Sequence, residues 1–178
     1  MAMKVLVADR LSQPGLEIFE QADGIELVYQ PDLSHDQLLK AVTDVEALVV
    51  RSGTHLTAEV FAQAEKLRVV GRAGIGIENM DIAAANRRGL VVMNTPFGSA
   101  TTSAEHTIAM LMALARNIPQ ANHSIRQSEW KKDHFQGIEI SGKTLGVIGA
   151  GKIGRLVIER AHGLRMRILV FDPFLSAE

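Results

Sequence analysis

The first 95 residues alternate between short apolar runs and segments in which apolar residues recur every three or four positions. The runs are four to six residues long and rich in β-branched side chains, as expected of buried strands. Strands that alternate with helices indicate β–α–β units and a parallel sheet. The predicted strands are residues 4–9, 25–29, 46–50, 68–71 and 90–94.

Polar residues that can cap a helix precede the periodic segments. Ser34 and Gln37 have the spacing of a capping box, in which the side chains and amides of the first turn bond reciprocally. Together with the strands, these helices predict a doubly wound, flavodoxin-like α/β domain over residues 1–96. The residues predicted to begin helices are Ser12, Ser34, Thr57 and Asp81.

The alternation is then interrupted by a segment of different character. Thr102 and Glu105 have capping-box spacing, and residues 104–115 are apolar on nearly every face. Such a helix is buried on all sides, so we expect it to lie between domains or between subunits. Residues 117–142 are polar and weakly periodic and contain the only tryptophan, Trp130, which is typical of an arm or linker.

A glycine-rich stretch, LGVIGAGKIGR at 145–155, has the spacing G-x-G-x-x-G at Gly149, Gly151 and Gly154. In a dinucleotide-binding loop the first glycine permits a tight turn and the second lets the backbone approach a pyrophosphate. The third allows the helix to pack closely on the strand. The pyrophosphate lies at the amino end of that helix, where amide groups and a partial positive charge meet it.

The surroundings of the glycines supply the rest of this fingerprint. A predicted strand, 144–149, precedes the helix at 152–164, and a second strand, 167–172, ends in Asp172. An acid at that point accepts hydrogen bonds from the adenosine ribose and repels a 2′-phosphate, which favours NAD over NADP. The alternatives are a glycine-rich turn without a ligand and, because Pro173 follows, an aspartate that only ends its strand.

Two loops of the first domain follow predicted strands, at the carboxyl ends where α/β proteins bind ligands. Arg51 opens the loop 51–54, and Arg72 lies in the loop 71–79; both guanidinium groups suit a carboxylate or phosphate. Glycines in the second loop can expose backbone amides as an anion nest. The alternative is that the arginines are surface charges and the glycines only make turns. These glycines are Gly71, Gly74 and Gly76.

Composition excludes several other classes of function. A net charge of −1 gives no field that favours nucleic acid or an acidic membrane surface. The absence of cysteine excludes disulfides and thiolate chemistry, and none of the six histidines has metal-ligand spacing with another ligand pair. No apolar run is long enough to span a membrane, and no signal peptide is recognisable. A cytoplasmic protein without a metal is expected.

At this level of detail the chain resembles the D-isomer-specific 2-hydroxyacid dehydrogenases, and within them the phosphoglycerate branch. The resemblance extends along the whole chain and implies a substrate-binding domain at 1–96, followed at 97–178 by the first part of a truncated Rossmann NAD-binding domain. It also implies a dimerisation helix and arm at 101–141. It rests on VVRSGTHLT (49–57), LRVVGRAGIGIENMDIAAANRRGLVVMNTP (67–96), AEHTIAMLMALAR (104–116), GKTLGVIGAGKIGRLV (142–157) and FDP (171–173).

The resemblance also implies roles for individual residues. Positions that contact the substrate correspond to Arg51, Ser52, Arg72, Ala73, Gly74 and Ile75, with Arg72 near a substrate phosphate. Positions that contact the cofactor correspond to Ile75, Gly149, Gly151, Lys152, Ile153, Gly154 and Asp172. The implied activity is NAD-dependent oxidation of 3-phosphoglycerate to 3-phosphohydroxypyruvate in serine biosynthesis.

The chain departs from the family pattern in two places. Ser99 stands where the phosphoglycerate branch commonly has asparagine, which weakens the assignment of the substrate. The catalytic arginine, glutamate and histidine of the family lie downstream of Asp172, so no catalytic residue is expected within these 178 residues. The alternatives are a dehydrogenase for another 2-hydroxy acid and a non-catalytic module for NAD binding or dimerisation.

Overall fold

The chain divides into two compact units, Met1–Gly98 and Ser99–Glu178, and the computed structural model describes residues 2–175 of it. Both units contain parallel strands joined by helices, so the predicted α/β class is confirmed. Among the residues that the structure describes, no helix is long and apolar enough to cross a membrane.

The first unit is a parallel sheet with the strand order of a flavodoxin-like fold. Its strands are β1 (Met3–Val7), β2 (Ile25–Tyr29), β3 (Ala47–Val50), β4 (Val69–Arg72) and β5 (Val91–Asn94). They pair in the order β2-β1-β3-β4-β5, which confirms the predicted topology. The helices are α1 (Gln13–Glu20), α2 (His35–Ala41), α3 (Ala58–Gln63) and α4 (Ile82–Arg87), with a short 3-10 helix at Val42–Asp44.

Alternate strand residues point to opposite faces of this sheet, and helices lie on both of them. Leu6 and Leu48 belong to the main buried cluster, which they share with apolar residues of α2, α3 and α4 such as Phe61. Val5 and Val49 point the other way and, with Phe19 of α1, line a cavity of about 400 Å³ on the opposite face. The first unit is therefore doubly wound, as predicted.

Most of the predicted helix starts are present. Ser34 and Gln37 form a capping box with both reciprocal bonds, and Thr57 accepts a bond from the amide of Val60. The Asp81 carboxylate accepts a bond of 2.8 Å from the amide of Ala84. Ser12 is the N-cap residue of α1, as predicted, but its side chain makes no cap bond.

The register of the sheet aligns the segments that follow the strands. Val50 is paired with Arg72, and Arg72 is paired with Asn94. The strands are parallel, so the residues after β3, β4 and β5 emerge side by side at one edge of the sheet. The two predicted substrate loops therefore leave the sheet at the same edge.

The second unit combines a single described β–α–β unit with two further helices. Its strands, β6 (Thr144–Ile148) and β7 (Arg167–Phe171), pair in parallel and are joined by α7 (Lys152–Gly163). The longer helix α5 (Ala100–Ala115) packs on α7. The predicted strand–helix–strand arrangement around the glycine-rich loop is thereby confirmed.

The start of α5 differs from the prediction. The helix begins at Ala100, after Ser99, so Thr102 and Glu105 lie inside it and the predicted capping box is wrong. Ala100 and Ala104 lie one turn apart and are both buried, which extends the helix to this earlier start. In the single chain Met110 and Leu114 of this helix are exposed, so its burial between domains or between subunits stays a prediction.

The segment predicted as an arm or linker contains regular structure. Helix α6 (Ile118–Arg126) follows Asn117, whose φ of 52° turns the chain after α5, and a 3-10 helix covers Lys132–Phe135. The buried hydroxyl of Ser124 donates a bond of 2.7 Å to the carbonyl of Glu129 and closes the end of α6. The arm therefore contains two short helices that the weak periodicity did not indicate.

Candidate functional site

The three glycines of the GAGKIG loop have different structural environments. Gly149 has a φ of 91°, a conformation that L side chains rarely adopt, and turns the chain out of β6. A Cβ on Gly154 would overlap the carbonyl oxygen of Gly149, so the third glycine is required for the close approach of helix and turn. A Cβ on Gly151 would meet open space, which leaves that backbone accessible to a ligand.

The amino end of α7 is arranged as the fingerprint requires. Gly151 is the N-cap residue, and no side chain caps this end of the helix. The end of a 12-residue helix carries a partial positive charge that favours an anion. The loop and Thr107 and Leu111 of α5 line a cavity of about 580 Å³, which brings five of the predicted cofactor residues together. These are Gly149, Gly151, Lys152, Ile153 and Gly154.

Asp172 lies immediately beyond β7 and bonds back to the glycine-rich loop. Its Oδ2 accepts a hydrogen bond of 2.7 Å from the amide of Ala150, and its Oδ1 accepts one of 2.9 Å from the amide of Phe174. The amides of Phe174 and Ala150 lower the pKa of Asp172, so the carboxylate is charged at neutral pH. Each carboxylate oxygen can accept a further bond, which is the capacity that a ribose diol needs.

Both interpretations of Asp172 therefore describe part of its geometry. The bond to Phe174 ends the strand in a turn, as the structural alternative predicts. The bond to Ala150 also fixes the carboxylate against the glycine-rich loop, where a dinucleotide would lie. Arg155 donates from Nε to the carbonyl of Ala150 over 2.9 Å and stabilises the same turn.

In the first unit, the loop that begins with Arg51 is held by Asp9, two residues beyond the end of β1. Oδ2 of Asp9 accepts bonds from the amides of Arg51 at 2.6 Å and Thr54 at 3.2 Å. The side chains of Arg51 and Ser52 are exposed at the edge of the sheet. The backbone of this loop is therefore fixed and both side chains are exposed, with Nη1 of Arg51 donating a bond of 3.3 Å to the carbonyl of Arg10.

Arg72 has a different environment from that of Arg51. Only 6% of its surface is exposed, and its Nε donates to Oδ1 of Asn79 at 2.8 Å. Its Nη2 donates to Glu78 at 3.0 Å, and a Cβ on Gly74 would lie 2.6 Å from its Nη1. Arg72 thus stabilises the loop 71–79, and its contact with a substrate phosphate stays a prediction.

Two amides of the second loop are bonded within the chain. The amide of Ala73 donates to the carbonyl of Val50 at 2.8 Å, and that of Gly74 donates to the carbonyl of Arg72 at 2.9 Å. None of Gly71, Gly74 and Gly76 has a positive φ, so the form of nest that alternates right- and left-handed residues is not seen here. Anion binding by the remaining amides of this loop stays a prediction.

Ile75 belongs to the first unit, unlike the other predicted cofactor residues. Its carbonyl accepts a bond of 2.6 Å from Nδ2 of Asn94, which ties the loop to the end of β5. Within the part of the chain that the structure describes, no group of three or more histidine, aspartate or glutamate residues could hold a metal ion.

The sequence pattern did not indicate the residues that organise these loops. Asp9, Asn79 and Asn94 each bond to the backbone of a segment from 19 to 45 residues away. The positions of Asp9 and Asn94 at the ends of predicted strands were the local signals, and they do not specify a partner. Their roles become visible only when the parallel sheet brings the loops together.

The match to the D-isomer specific 2-hydroxyacid dehydrogenase catalytic domain extends over residues 5–176. The chain belongs to this family. The family comprises oxidoreductases, and the resemblance described from the sequence is confirmed. The same membership accounts for the doubly wound first unit and for the β–α–β unit that carries the glycine-rich loop.

Individual relatives agree with the family assignment. D-3-phosphoglycerate dehydrogenase of Archaeoglobus fulgidus is 44% identical over 99% of this chain and 33% of its own length. The corresponding enzyme of Pongo abelii is 46% identical over 98% and 33%. A crystal structure of NAD⁺-bound 3-phosphoglycerate dehydrogenase from Entamoeba histolytica superimposes with a TM-score of 0.80 at 31% identity, covering 100% of this chain and 56% of that one.

The chain spans about a third of the length of the curated relatives that it matches.

Proposed function

We propose that the chain is part of an NAD-dependent D-3-phosphoglycerate dehydrogenase that oxidises 3-phosphoglycerate to 3-phosphohydroxypyruvate in serine biosynthesis. The observation that carries the proposal is the 44% identity to the D-3-phosphoglycerate dehydrogenase of Archaeoglobus fulgidus over 99% of the chain. The exposed Arg51 beside a fixed loop backbone supports a site for the substrate carboxylate.

The second unit has residues that fit NAD. The turn at Gly149, the accessible backbone at Gly151 and the amino end of α7 would hold the pyrophosphate. The charged carboxylate of Asp172 would accept hydrogen bonds from the adenosine ribose and disfavour NADP. When bound, NAD⁺ supplies the acceptor for the hydride that leaves C2 of the hydroxy acid.

We infer that these 178 residues bind ligands without turning them over. The chemistry of the family requires an acid–base histidine, its glutamate partner and an arginine that polarises the substrate carbonyl, and these follow the position of Asp172 in the family. None of the six histidines of this chain corresponds to that histidine. The substrate role of the first unit and the cofactor role of the second are therefore proposed as binding roles.

A second 2-hydroxy acid is the main alternative substrate, because Arg72 lies inside the protein. Its guanidinium donates to Asn79 and Glu78, so its position favours a phosphorylated substrate less than the sequence suggested. A non-catalytic NAD-binding or dimerising module is the other alternative. Binding of 3-phosphoglycerate, glyoxylate and erythronate 4-phosphate distinguishes these alternatives. Tighter binding of one of the other two acids would favour a different substrate, and binding of none of the three would favour the module.

The test is calorimetric titration of NAD⁺, NADP⁺ and 3-phosphoglycerate into the chain. We expect NAD⁺ to bind more tightly than NADP⁺, and Asp172→Ala to remove that preference while the control Asp133→Ala keeps it. We expect Arg51→Ala to weaken 3-phosphoglycerate binding relative to Arg87→Ala, since both side chains are exposed arginines of the first unit. An unchanged preference for NAD⁺ over NADP⁺ in the Asp172→Ala variant would contradict the role of Asp172. Formation of NADH by the chain alone would contradict the inference that it does not turn its ligands over.

A further inference from the structure

The buried side chain of Asn79 connects the two candidate substrate loops. Its Nδ2 donates hydrogen bonds to the carbonyl oxygens of Arg51 at 2.7 Å and Thr54 at 2.5 Å. Its Oδ1 accepts the bond from Nε of Arg72 at 2.8 Å. One carboxamide therefore joins a loop that follows β3 to the residue that ends β4.

The chemistry of these three bonds requires an amide at this position. The Nδ2 group provides two donors to two carbonyls, and Oδ1 provides an acceptor to a guanidinium. A carboxylate has the same shape and could still accept from Arg72, but it has no donor for the carbonyls. Because Asn79 is 6% exposed, water has little access to replace the lost bonds.

Asp9 holds the same loop through its backbone amides. Asp9 accepts from the amides of Arg51 and Thr54, and Asn79 donates to the carbonyls of the same two residues. The amide and the carbonyl of each residue are therefore both fixed by a side chain from elsewhere in the unit. Ser52 and the exposed side chain of Arg51 project from a backbone that is held at both ends.

We propose that Asn79 is the positioning residue for substrate binding by Arg51 and Ser52. It does not contact the substrate, but it sets the separation between their loop and the segment that begins at Ala73. The amide of Ala73 bonds to Val50, so this segment is anchored to the sheet independently of Asn79. The inference rests on the substrate role proposed for Arg51 and Ser52.

The decisive substitution is Asn79→Asp, which keeps the size of the side chain and removes both donors. Asn86→Asp is the matched control, because it makes the same change at an exposed position of α4. We expect Asn79→Asp to weaken 3-phosphoglycerate binding about tenfold relative to Asn86→Asp. Six of the seven proposed cofactor residues lie in the second unit, so NAD⁺ affinity should change much less than 3-phosphoglycerate affinity. A general loss of structure would lower both.

A second measurement on the same variants does not depend on substrate. Hydrogen exchange of the Arg51 and Thr54 amides should be about tenfold faster in Asn79→Asp, while that of β1 and β3 stays as in the control. If Asn79→Asp does not fold, Asn79→Ser removes the carboxamide bonds without adding a buried charge and should show the same acceleration.

The possible outcomes separate this inference from the proposed function. Failure of the wild-type chain to bind 3-phosphoglycerate would overturn the proposed function. The exchange rates of the Arg51 and Thr54 amides would then test whether Asn79 positions the loop. Unchanged exchange and unchanged 3-phosphoglycerate affinity in the Asn79→Asp variant would overturn the inference even if the wild type binds. Weaker binding with faster exchange, at constant NAD⁺ affinity, would support both.

Discussion

At the scale of single residues, the glycine-rich loop shows how one motif contains three different constraints. Gly149 is required by its backbone conformation, and Gly154 by the carbonyl that lies against its Cα. Gly151 has neither constraint within the chain, and the contact with a dinucleotide proposed for it would account for its place in the motif. On that proposal the motif combines requirements of folding with a requirement of binding.

Gly154→Ala should destabilise the second unit by about 1–3 kcal/mol, because the added methyl group would overlap backbone that cannot rotate away. Gly163→Ala is the control in the same helix, since a Cβ there meets nothing within 4 Å and alanine favours helix. Denaturant unfolding followed by circular dichroism measures both. Equal free energies of unfolding for the two variants would contradict this prediction, because they would mean that the backbone near Gly154 accommodates the methyl group without loss of stability.

The charge of Asp172 should make the second unit sensitive to acid. The amides of Phe174 and Ala150 lower the pKa of this carboxyl below its ordinary 3.8 in the folded chain, so its contribution to stability is present at neutral pH. That contribution is lost as the pH falls below 3.8 through the folded-state pKa.

We therefore expect the wild type to exceed Asp172→Asn in melting temperature at pH 7, and the difference to narrow progressively below pH 4. Asp133→Asn, at an exposed position of the same unit, controls for the change in net charge. A difference between wild type and Asp172→Asn that stays constant from pH 7 to pH 3 would contradict this role of the two amides.

At the scale of elements, local patterns predicted the sheet of the first unit and the single β–α–β unit of the second. Strand ends were predicted within one or two residues, because apolar runs and capping residues are adjacent to the boundaries that they determine. The capping box at Thr102 failed because burial of Ala100 and Ala104 starts α5 earlier. Helix α6 was missed because its sequence is mostly polar and its start depends on the left-handed Asn117.

The candidate site was only partly predictable for a related reason. The residues of the glycine-rich loop are neighbours in sequence, so their spacing alone predicts how they are arranged. Asn79 and its partner carbonyl on Arg51 are 28 residues apart, and no periodicity connects them. Arg72 looked like an exposed cation because a loop arginine usually is one, and only the structure shows Asn79 and Glu78 around it.

Helix α5 provides the test of the proposed dimerisation segment 101–141. Met110 and Leu114 are 57% and 76% exposed, an unusual position for large apolar side chains on one helix. If a second copy covers them, Leu114→Glu should convert a dimer to a monomer in sedimentation velocity. Ile18→Glu is the control, because Ile18 is 70% exposed on α1, outside the segment. A wild-type monomer, or equal behaviour of both variants, would contradict dimerisation through α5.

At the scale of the whole molecule, the two units have very different cores. The largest fully buried side chains, including Phe61, Leu6, Leu48 and Leu56, all belong to the first unit. The apolar residues buried in the second unit are mostly alanines, with Val157 and Met166 as the larger members. Hydrophobic stabilisation grows with buried apolar area, so the second unit has the smaller share of it.

The chain should consequently unfold in two steps, with the second unit first. Hydrogen exchange at increasing urea, read separately for β1–β5 and for β6–β7, should show protection lost at lower urea in the second unit. NAD⁺ at about 100 times its dissociation constant should stabilise the second unit by about 2.7 kcal/mol. The unfolding transition of β1–β5 should stay unchanged. A single transition common to both units would mean that they fold cooperatively. A shift of only the β1–β5 transition would mean that the dinucleotide binds the first unit. That result would overturn the role proposed for Gly149, Gly151 and Asp172.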